Sequence, residues 1–439
     1  MKLVLLAAGE GSRIKQISDI KPLTRLFGLT LLERAVKTAE KAGCSSIYLV
    51  TGYRHEEIKR FVQSKKLPVT IIYNPDWKKG NGYSLLAAEP FLKGESEFLI
   101  AMADHVSDGS HLKALIKEPL SNFDLLLAVD PKPAGYIDLD DATKVIYDKN
   151  TLKILRAGKE ITDWNGIDTG FFKASPAIFE ALRQTSPDGT LTAAVNWLAK
   201  KERARALPQE EGFWIDIDTR EAYLAARNLL LKKLSKQTDG PVAKYINRKI
   251  SIPLSSLLAN TPLTPNQISL LSFLIASVAA FLFSLASRGA TVAAAILTQL
   301  ASIIDGCDGE IARLKSLETD FGKWFDAVLD RLADGLLLTG IAVGLLKSGT
   351  EPIVLLLSFS AAIIGSYLLS YTADKYDYLM QLNLIRSIRL GRDLRLFATF
   401  IAGLLDLLLP MLVFLANVSF IEVIRRVWLV HTFSRKKTS

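Results

Sequence analysis

The hydrophobic rhythm of the chain changes near its middle. Over residues 1–230, short apolar runs at 2–6, 46–51, 69–73, 98–101 and 123–129 alternate with charged, helix-like stretches. That alternation predicts an α/β domain: a Rossmann-like, mostly parallel sheet covered by helices. In such sheets ligands bind beyond the carboxyl ends of the strands. After about residue 266 the pattern gives way to long apolar runs, with spanning candidates at 266–287, 290–314, 322–346 and 352–373, the middle two carrying carboxylates. Each is near the roughly 20 residues that span a bilayer. The next stretch, 394–428, is too long for one span and short for two.

Charge settles that count. Six spans put Arg435-Lys436-Lys437 on the same side as the N-terminus, whereas five would put it opposite, against the positive-inside rule. The expectation is therefore an all-α six-helix transmembrane domain behind the α/β domain. Between them, Gln237-Thr238-Asp239-Gly240-Pro241 reads as a turn. Beyond it Ile246, Ile250, Leu254, Leu257 and Leu258 share a helical face, with Lys244, Arg248 and Lys249 elsewhere. That pattern suits a helix lying in the headgroup plane and bent near Pro253; the alternative is a linker helix packed on the first domain. The domains expected are 1–230, a linker and juxtamembrane helix at 231–263, and a membrane domain at 264–439.

Composition refines this division. The 439 residues are 49% hydrophobic with a net charge of +9. The basic residues cluster beside apolar segments: Lys232, Lys233, Lys236, Lys244, Arg248 and Lys249, then Arg386, Arg389, Arg392 and Arg395. That placement favours anionic headgroups and phosphorylated substrates over nucleic acid. Cys44 and Cys307 fall in different regions, so no disulfide framework is expected. The opening Met1-Lys2-Leu3-Val4-Leu5-Leu6 runs into a glycine loop and reads as a first strand rather than a secretory segment, which places the first domain in the cytoplasm.

The candidate chemistry of the membrane half lies in two pairs of aspartates, Asp305/Asp308 and Asp326/Asp330. Spacings of i,i+3 and i,i+4 put each pair on one helical face, so two facing helices can pool four carboxylates. Each ionised group at depth costs several kcal/mol, roughly 3 on insertion scales. Cations must neutralise such a cluster, and oxygen-only ligands favour Mg²⁺ or Mn²⁺. Buried ion pairing with Arg313, Lys323 and Arg331 explains neither the glycines nor the double pairing. The run resembles the signature of the CDP-alcohol phosphotransferases, D-x-x-D-G-x-x-A-R-x8-G-x-x-x-D-x-x-x-D. Asp305, Asp308, Gly309, Ala312, Arg313, Gly322, Asp326 and Asp330 fill it with matching spacing. The resemblance implies that these aspartates hold two metal ions on a CDP diphosphate, with Asp330 also the base for the acceptor hydroxyl. Gly309 and Ala312 would admit the nucleotide and Arg313 would neutralise phosphate. Arg386, Arg389, Arg392 and Arg395 form a candidate site for a second anionic substrate, or an anchor for lipid headgroups.

In the first half, Ala7-Ala8-Gly9-Glu10-Gly11-Ser12-Arg13 follows the first strand, with Lys21-Pro22 after it. Small residues there let backbone N–H groups approach phosphates, and Arg13 and Lys21 add charge. Ile14 stands where a dinucleotide fingerprint needs its third glycine. The stretch is similar to the sugar-nucleotidyltransferase family, and further segments follow in its order. Asn81 and Ser84 resemble the base-reading segment of the cytidylyltransferase branch. Asp104 stands where the family keeps a metal ligand, although a strand-end Asp can also cap a helix. Asp168 and Gly170 resemble the substrate-pocket strand, Lys159 is a candidate for substrate phosphate, and Asp216 or Asp218 would supply the second metal carboxylate. Alternation puts both on one strand face. His55, His111 and His431 read as ordinary polar residues.

Together the halves resemble the bifunctional inositol-1-phosphate cytidylyltransferase/di-myo-inositol phosphate phosphate synthase family of heat-loving archaea and bacteria. What this implies is CTP plus inositol 1-phosphate giving CDP-inositol and pyrophosphate. CDP-inositol and a second inositol 1-phosphate would then give the phosphorylated di-inositol phosphodiester and CMP. It also implies one Mg²⁺ or Mn²⁺ in the first site and two in the second, and a homodimer in the lipid bilayer; the topology set by charge puts both sites on the cytoplasmic side. The alternative keeps both chemistries but transfers the phospho-alcohol to a lipid hydroxyl.

Overall fold

A computed structural model describes residues 1–11, 13, 17–186, 189–236, 238–382 and 391–436. The chain divides into two compact units, Met1–Leu229 and Leu230–Ser439.

In the first unit a nine-stranded sheet runs, along its main path, in the order Ile154–Gly158, Lys144–Tyr147, Gly166–Ala174, Phe98–Met102, Lys2–Ala7, Ser46–Thr51, Thr70–Tyr73. The last four of these are mutually parallel. The long Gly166–Ala174 strand joins them antiparallel at Phe98–Met102, which makes the sheet mixed. The register pairs Leu6 with Met102 and Ala7 with Thr51, so the Ala8–Gly11 turn and Asp104 leave the same sheet edge. Two apolar layers enclose the sheet. One gathers Val4, Val50, Phe98, Ile100 and Phe172; the other gathers Leu3, Leu5, Leu49, Leu99 and Phe171. Alternate residues of each strand go to opposite layers, as the pleat requires.

The second unit is helical. Among the described residues, four helices are long and apolar enough to cross a bilayer: Pro265–Phe283, Arg288–Leu314, Pro352–Tyr371 and Leu408–Phe433. The Asp320–Lys347 helix is as long, but Asp320, Lys323, Asp326, Asp330, Arg331 and Asp334 interrupt its apolar face. The Arg392–Leu405 helix has only 14 residues, about 21 Å at 1.5 Å per residue. A residue in the left-handed region, Asp406 (φ 61°), separates it from the helix that follows.

Small residues set the closest helix approach. A Cβ on Gly340 would stand 2.1 Å from the Ala280 carbonyl oxygen, and one on Gly344 2.2 Å from that of Phe283. Two glycines four apart thus let the backbones of Asp320–Lys347 and Pro265–Phe283 touch, which substitutes for the missing hydrophobic drive inside lipid.

The juxtamembrane segment is helical through Ala243–Asn247 and Arg248–Leu258, with Pro253 inside. It packs a polar face inward. Asn247 exchanges hydrogen bonds with Ser302 and Gln299, and Arg248 pairs with Glu310 at 2.5 Å and with Asp239. Ile246, Ile250 and Leu257 remain exposed, an apolar stripe of the kind that seats in a headgroup boundary.

Candidate active sites

In the first unit, Lys21 is the hub. Its ammonium lies 2.6 Å from Asp104, 3.0 Å from Asp216, and in contact with Asp218. Gly11 makes this approach feasible: it sits at φ +62°, and a Cβ there would stand 2.6 Å from Lys21 Cβ. Trp214–Asp216 pairs with His105–Ser107, which brings Asp216 opposite His105. The strand ends at Asp216, so Asp218 reaches the same lysine from the following turn and not from a shared strand face. Carboxylate oxygens of Asp104 and Asp216 and a ring nitrogen of His105 lie within 4.8 Å of one another.

The electrostatics follow from this packing. Burial opposes the Lys21 charge, but Asp104, Asp216 and Asp218 hold it above its ordinary range. Burial would also raise Asp104, yet Lys21 and His105 keep its carboxyl well below the usual carboxylate range. Asp216 is displaced upward, by burial first and by the Asp104 charge second. Such opposed carboxyls, with a nitrogen ligand beside them, fit a divalent cation.

Ala7, Gly9, Gly11, Arg13 and Lys21 line a cleft of about 320 Å³ ending at Asp104, Asp216 and Asp218. A neighbouring cleft of about 770 Å³ is lined by Asn81, Lys159, Asp168 and Gly170, along with Arg13 and Asp104. Asp141 ties two of the expected residues together, accepting from Arg13 at 2.7 Å and from Lys159 at 2.6 Å. Asp168 accepts from the Gly170 N–H at 2.8 Å, and burial pushes its carboxyl up to about 6. Ala8 turns its carbonyl to the Tyr53 N–H. Asn81 accepts from the Leu191 N–H at 2.8 Å, tethering the start of a helix. Ser84 is buried under Asn74, 3.1 Å away, and lines neither cleft.

In the second unit, Asp305 and Asp308 project from Arg288–Leu314 and Asp326 and Asp330 from Asp320–Lys347. Carboxylate oxygens of Asp305, Asp326 and Asp330 lie within 4.8 Å of one another. Asp308 accepts from Ser269 Oγ at 2.5 Å, and Ser272 Oγ reaches Asp305 at 3.4 Å. Arg392 enters from the Arg392–Leu405 helix, its Nη1 2.5 Å from Asp330 and 3.0 Å from Asp305. Arg395 meets Asp334 at 3.0 Å. A small cleft of about 110 Å³ is lined by Lys236, Asp308, Gly309, Ala312, Arg313, Gly322 and Lys323, which gathers the glycine and arginine positions of the signature on one side of the aspartates. Arg313 donates to the Leu234 carbonyl. Arg386 and Arg389 lie outside the described residues. The all-oxygen donor set of Asp305, Asp326 and Asp330, with Asp308 held beside it by Ser269, also fits divalent cations such as Mg²⁺.

Five residues of these sites escaped the sequence reading. His105 was marked only by its adjacency to Asp104, and Asp141 by nothing local. Ser269 and Ser272 are polar positions three apart on an apolar helix, and Asp334 repeats the four-residue period of Asp326 and Asp330.

The fold and its two acidic centres define a nucleotidyltransferase domain followed by a CDP-alcohol phosphotransferase domain. Residues 3–199 match the family model of MobA-like NTP transferase domains, and residues 262–430 that of CDP-alcohol phosphatidyltransferases. The chain belongs to the family of bifunctional IPC transferases and DIPP synthases. It is 36% identical over 410 residues to such a protein of Rubrobacter xylanophilus, covering 91% of this chain and 90% of that one. The Aquifex aeolicus relative is 32% identical over 440 residues, covering 97% of each. Among solved structures, the inositol-1-phosphate CTP transferase from T. maritima aligns with a TM-score of 0.46 and 23% identity, over 52% of this chain and 95% of that one.

Proposed function

We propose that the chain makes CDP-inositol in its first unit and consumes it in its second. In the first reaction a phosphate oxygen of inositol 1-phosphate attacks the α-phosphorus of CTP and pyrophosphate leaves. The nucleophile is already ionised, so catalysis consists of aligning two anions and stabilising the charge between them. Backbone N–H groups of the Gly9–Gly11 turn, with Arg13 and Lys21, hold the triphosphate; Asn81 is proposed on the nucleotide side, with Ser84 behind the cleft wall as a partner of Asn74, and Lys159, Asp168 and Gly170 on the alcohol side. Asp104 with Asp216 or Asp218 would hold a divalent cation.

In the second reaction a hydroxyl of inositol 1-phosphate attacks the inositol-bearing phosphorus of CDP-inositol. A P–O bond forms, CMP leaves, and the hydroxyl proton passes to Asp330. Asp305, Asp308 and Asp326, with Asp330, would hold two Mg²⁺ or Mn²⁺ ions, which when bound neutralise the diphosphate. Gly309, Ala312 and Arg313 seat the CDP moiety, and Arg392 and Arg395 receive the phosphomonoester of the acceptor. The observation that carries this reading is the convergence of Asp305, Asp326 and Asp330 from two helices. The proposed setting is a six-span cell-membrane protein, working as a homodimer, with domains near 1–230, 231–263 and 264–439 and both sites on the cytoplasmic face. Four apolar helices support the membrane setting, and the basic residues beside the apolar segments support the orientation.

The test is phosphorus NMR on purified protein with Mg²⁺, CTP and inositol 1-phosphate, without lipid acceptor. A diphosphate intermediate giving way to CMP and a phosphodiester that keeps one phosphomonoester is expected. CDP-inositol that accumulates and turns over only when a lipid alcohol is added would make the second unit a lipid synthase.

A further inference from the structure

Asp334 stands one helical turn beyond Asp330 and outside the eight-position signature. Its side chain is only 5% exposed, yet both its oxygens are engaged by cations. Oδ1 accepts from Arg392 Nε at 2.8 Å, and Oδ2 from Arg395 Nη2 at 3.0 Å, with Ser366 Oγ 3.4 Å away. Three helices meet at this one carboxylate: Asp320–Lys347, Arg392–Leu405 and Pro352–Tyr371.

The contact is directional. A guanidinium is a rigid planar fork of five N–H donors, so fixing Nε fixes where the other four point. With Nε held by Asp334, Arg392 aims Nη1 at Asp330 and Asp305, into the acidic centre. In the proposed reaction Asp305 and Asp330 serve the metal ions and the base, whereas Asp334 stands outside the cluster of Asp305, Asp326 and Asp330. Arg395, held by the second oxygen, lies one turn along the same helix as Arg392, so a single carboxylate orients both cations.

We infer that Asp334 is a positioning residue of the transfer step, holding the Arg392 and Arg395 guanidinium groups in the orientation that receives the acceptor's phosphomonoester. The inference rests on the proposed acceptor. It predicts selectivity: loss of Asp334 harms recognition of the anionic acceptor and spares that of the CDP-alcohol, which is seated around Gly309 and Arg313. A carboxylate serving only to neutralise buried arginines would affect both substrates alike.

The experiment uses the full chain in detergent with supplied CDP-inositol and varied inositol 1-phosphate. In Asp334→Asn the KM for inositol 1-phosphate should rise at least tenfold, with the KM for CDP-inositol within twofold. The inhibition constant of inorganic phosphate, competing with inositol 1-phosphate, should rise by the same factor. Asp334→Glu keeps the charge and should recover most of the loss. It also serves as the folded reporter if the Asn variant does not fold, a selective rise of about threefold in the acceptor KM then supporting the inference. An unchanged acceptor KM, or equal changes for both substrates in every variant that folds, overturns it. Wild-type protein that uses only a lipid alcohol overturns the acceptor assignment and this inference together.

Discussion

At the scale of single residues, the two centres make separable predictions. Asp330→Asn should lower the transfer step by about 10²–10⁴-fold, the usual contribution of a general base, with CDP-alcohol accumulating. Final product formed at the wild-type rate would remove Asp330 from that role. Asp104→Ala should stop CTP consumption while transfer from supplied CDP-alcohol continues, and simultaneous loss of both reactions would show that the centres are not independent. Asp168 gives a pH dependence. Its carboxyl is raised by burial from the ordinary 3.8 to about 6, so the folded chain keeps a proton between those values that the unfolded chain releases. Its contribution to stability is complete below about pH 4 and lost as the pH rises through 6, a swing of up to about 3 kcal/mol. Asp168→Asn should therefore protect the Gly166–Ala174 strand from hydrogen exchange, relative to wild type, more at pH 8 than at pH 4. An equal effect at both pH values would show that the carboxyl is not buried as described.

At the scale of elements, what is held close decides what can be changed. Gly344 sets the Asp320–Lys347 helix against the Phe283 carbonyl, 2.2 Å from where a Cβ would stand. A larger side chain must push the helices apart, at a cost of about 1–3 kcal/mol or more, and would shift Asp326 and Asp330 relative to Ser269 and Asp308. Gly344→Leu should accordingly reduce transfer at least tenfold and leave CTP consumption unchanged, measured as pyrophosphate release; full transfer activity would show that the helix approach is not rigid. Five strands of the first unit were legible because each pairs a short apolar run with a flanking turn, whereas Lys144–Tyr147, Ile154–Gly158 and Ala204–Pro208, with polar residues among their apolar ones, were not. The helices Pro265–Phe283 and Pro352–Tyr371 were legible by uninterrupted apolar length, and Arg288–Leu314 and Asp320–Lys347 by apolar length with carboxylates at helical spacing. The juxtamembrane helix was legible as a helix; Ile246, Ile250 and Leu257 of its expected apolar stripe are exposed, whereas Leu254 and Leu258 pack against Ile268, Cys307 and Ile311. Its inward face of Asn247, Arg248 and Ser251 was not, because those residues find their partners on a helix 55 to 62 residues away.

At the scale of the whole molecule, each unit carries its own core. The two apolar layers of the first unit draw only on residues up to Trp214, and the main membrane core draws on residues from Phe273 onward. Residues 1–229 expressed alone should therefore fold, remain soluble without detergent and release pyrophosphate from CTP and inositol 1-phosphate at a rate within a few-fold of the full chain. Aggregation of that fragment, or loss of CTP turnover in folded material, would show that the first unit depends on the second.

The sequence by itself determined the two-part division, the class of each part and the four aspartates of the membrane half, because these are encoded in periodicity and fixed spacing within one or two helices. It also supplied the glycine turn and Lys21, which follow one strand directly. Only the tertiary structure decided which separated groups meet. Asp216 and Asp218 both reach Lys21, from nearly two hundred residues away, and Asp141 joins Arg13 to Lys159. Arg392 finds Asp305, Asp330 and Asp334, where sequence showed only a basic run. Charge pairing across such distances depends on sheet register and helix contact, and local pattern carries neither.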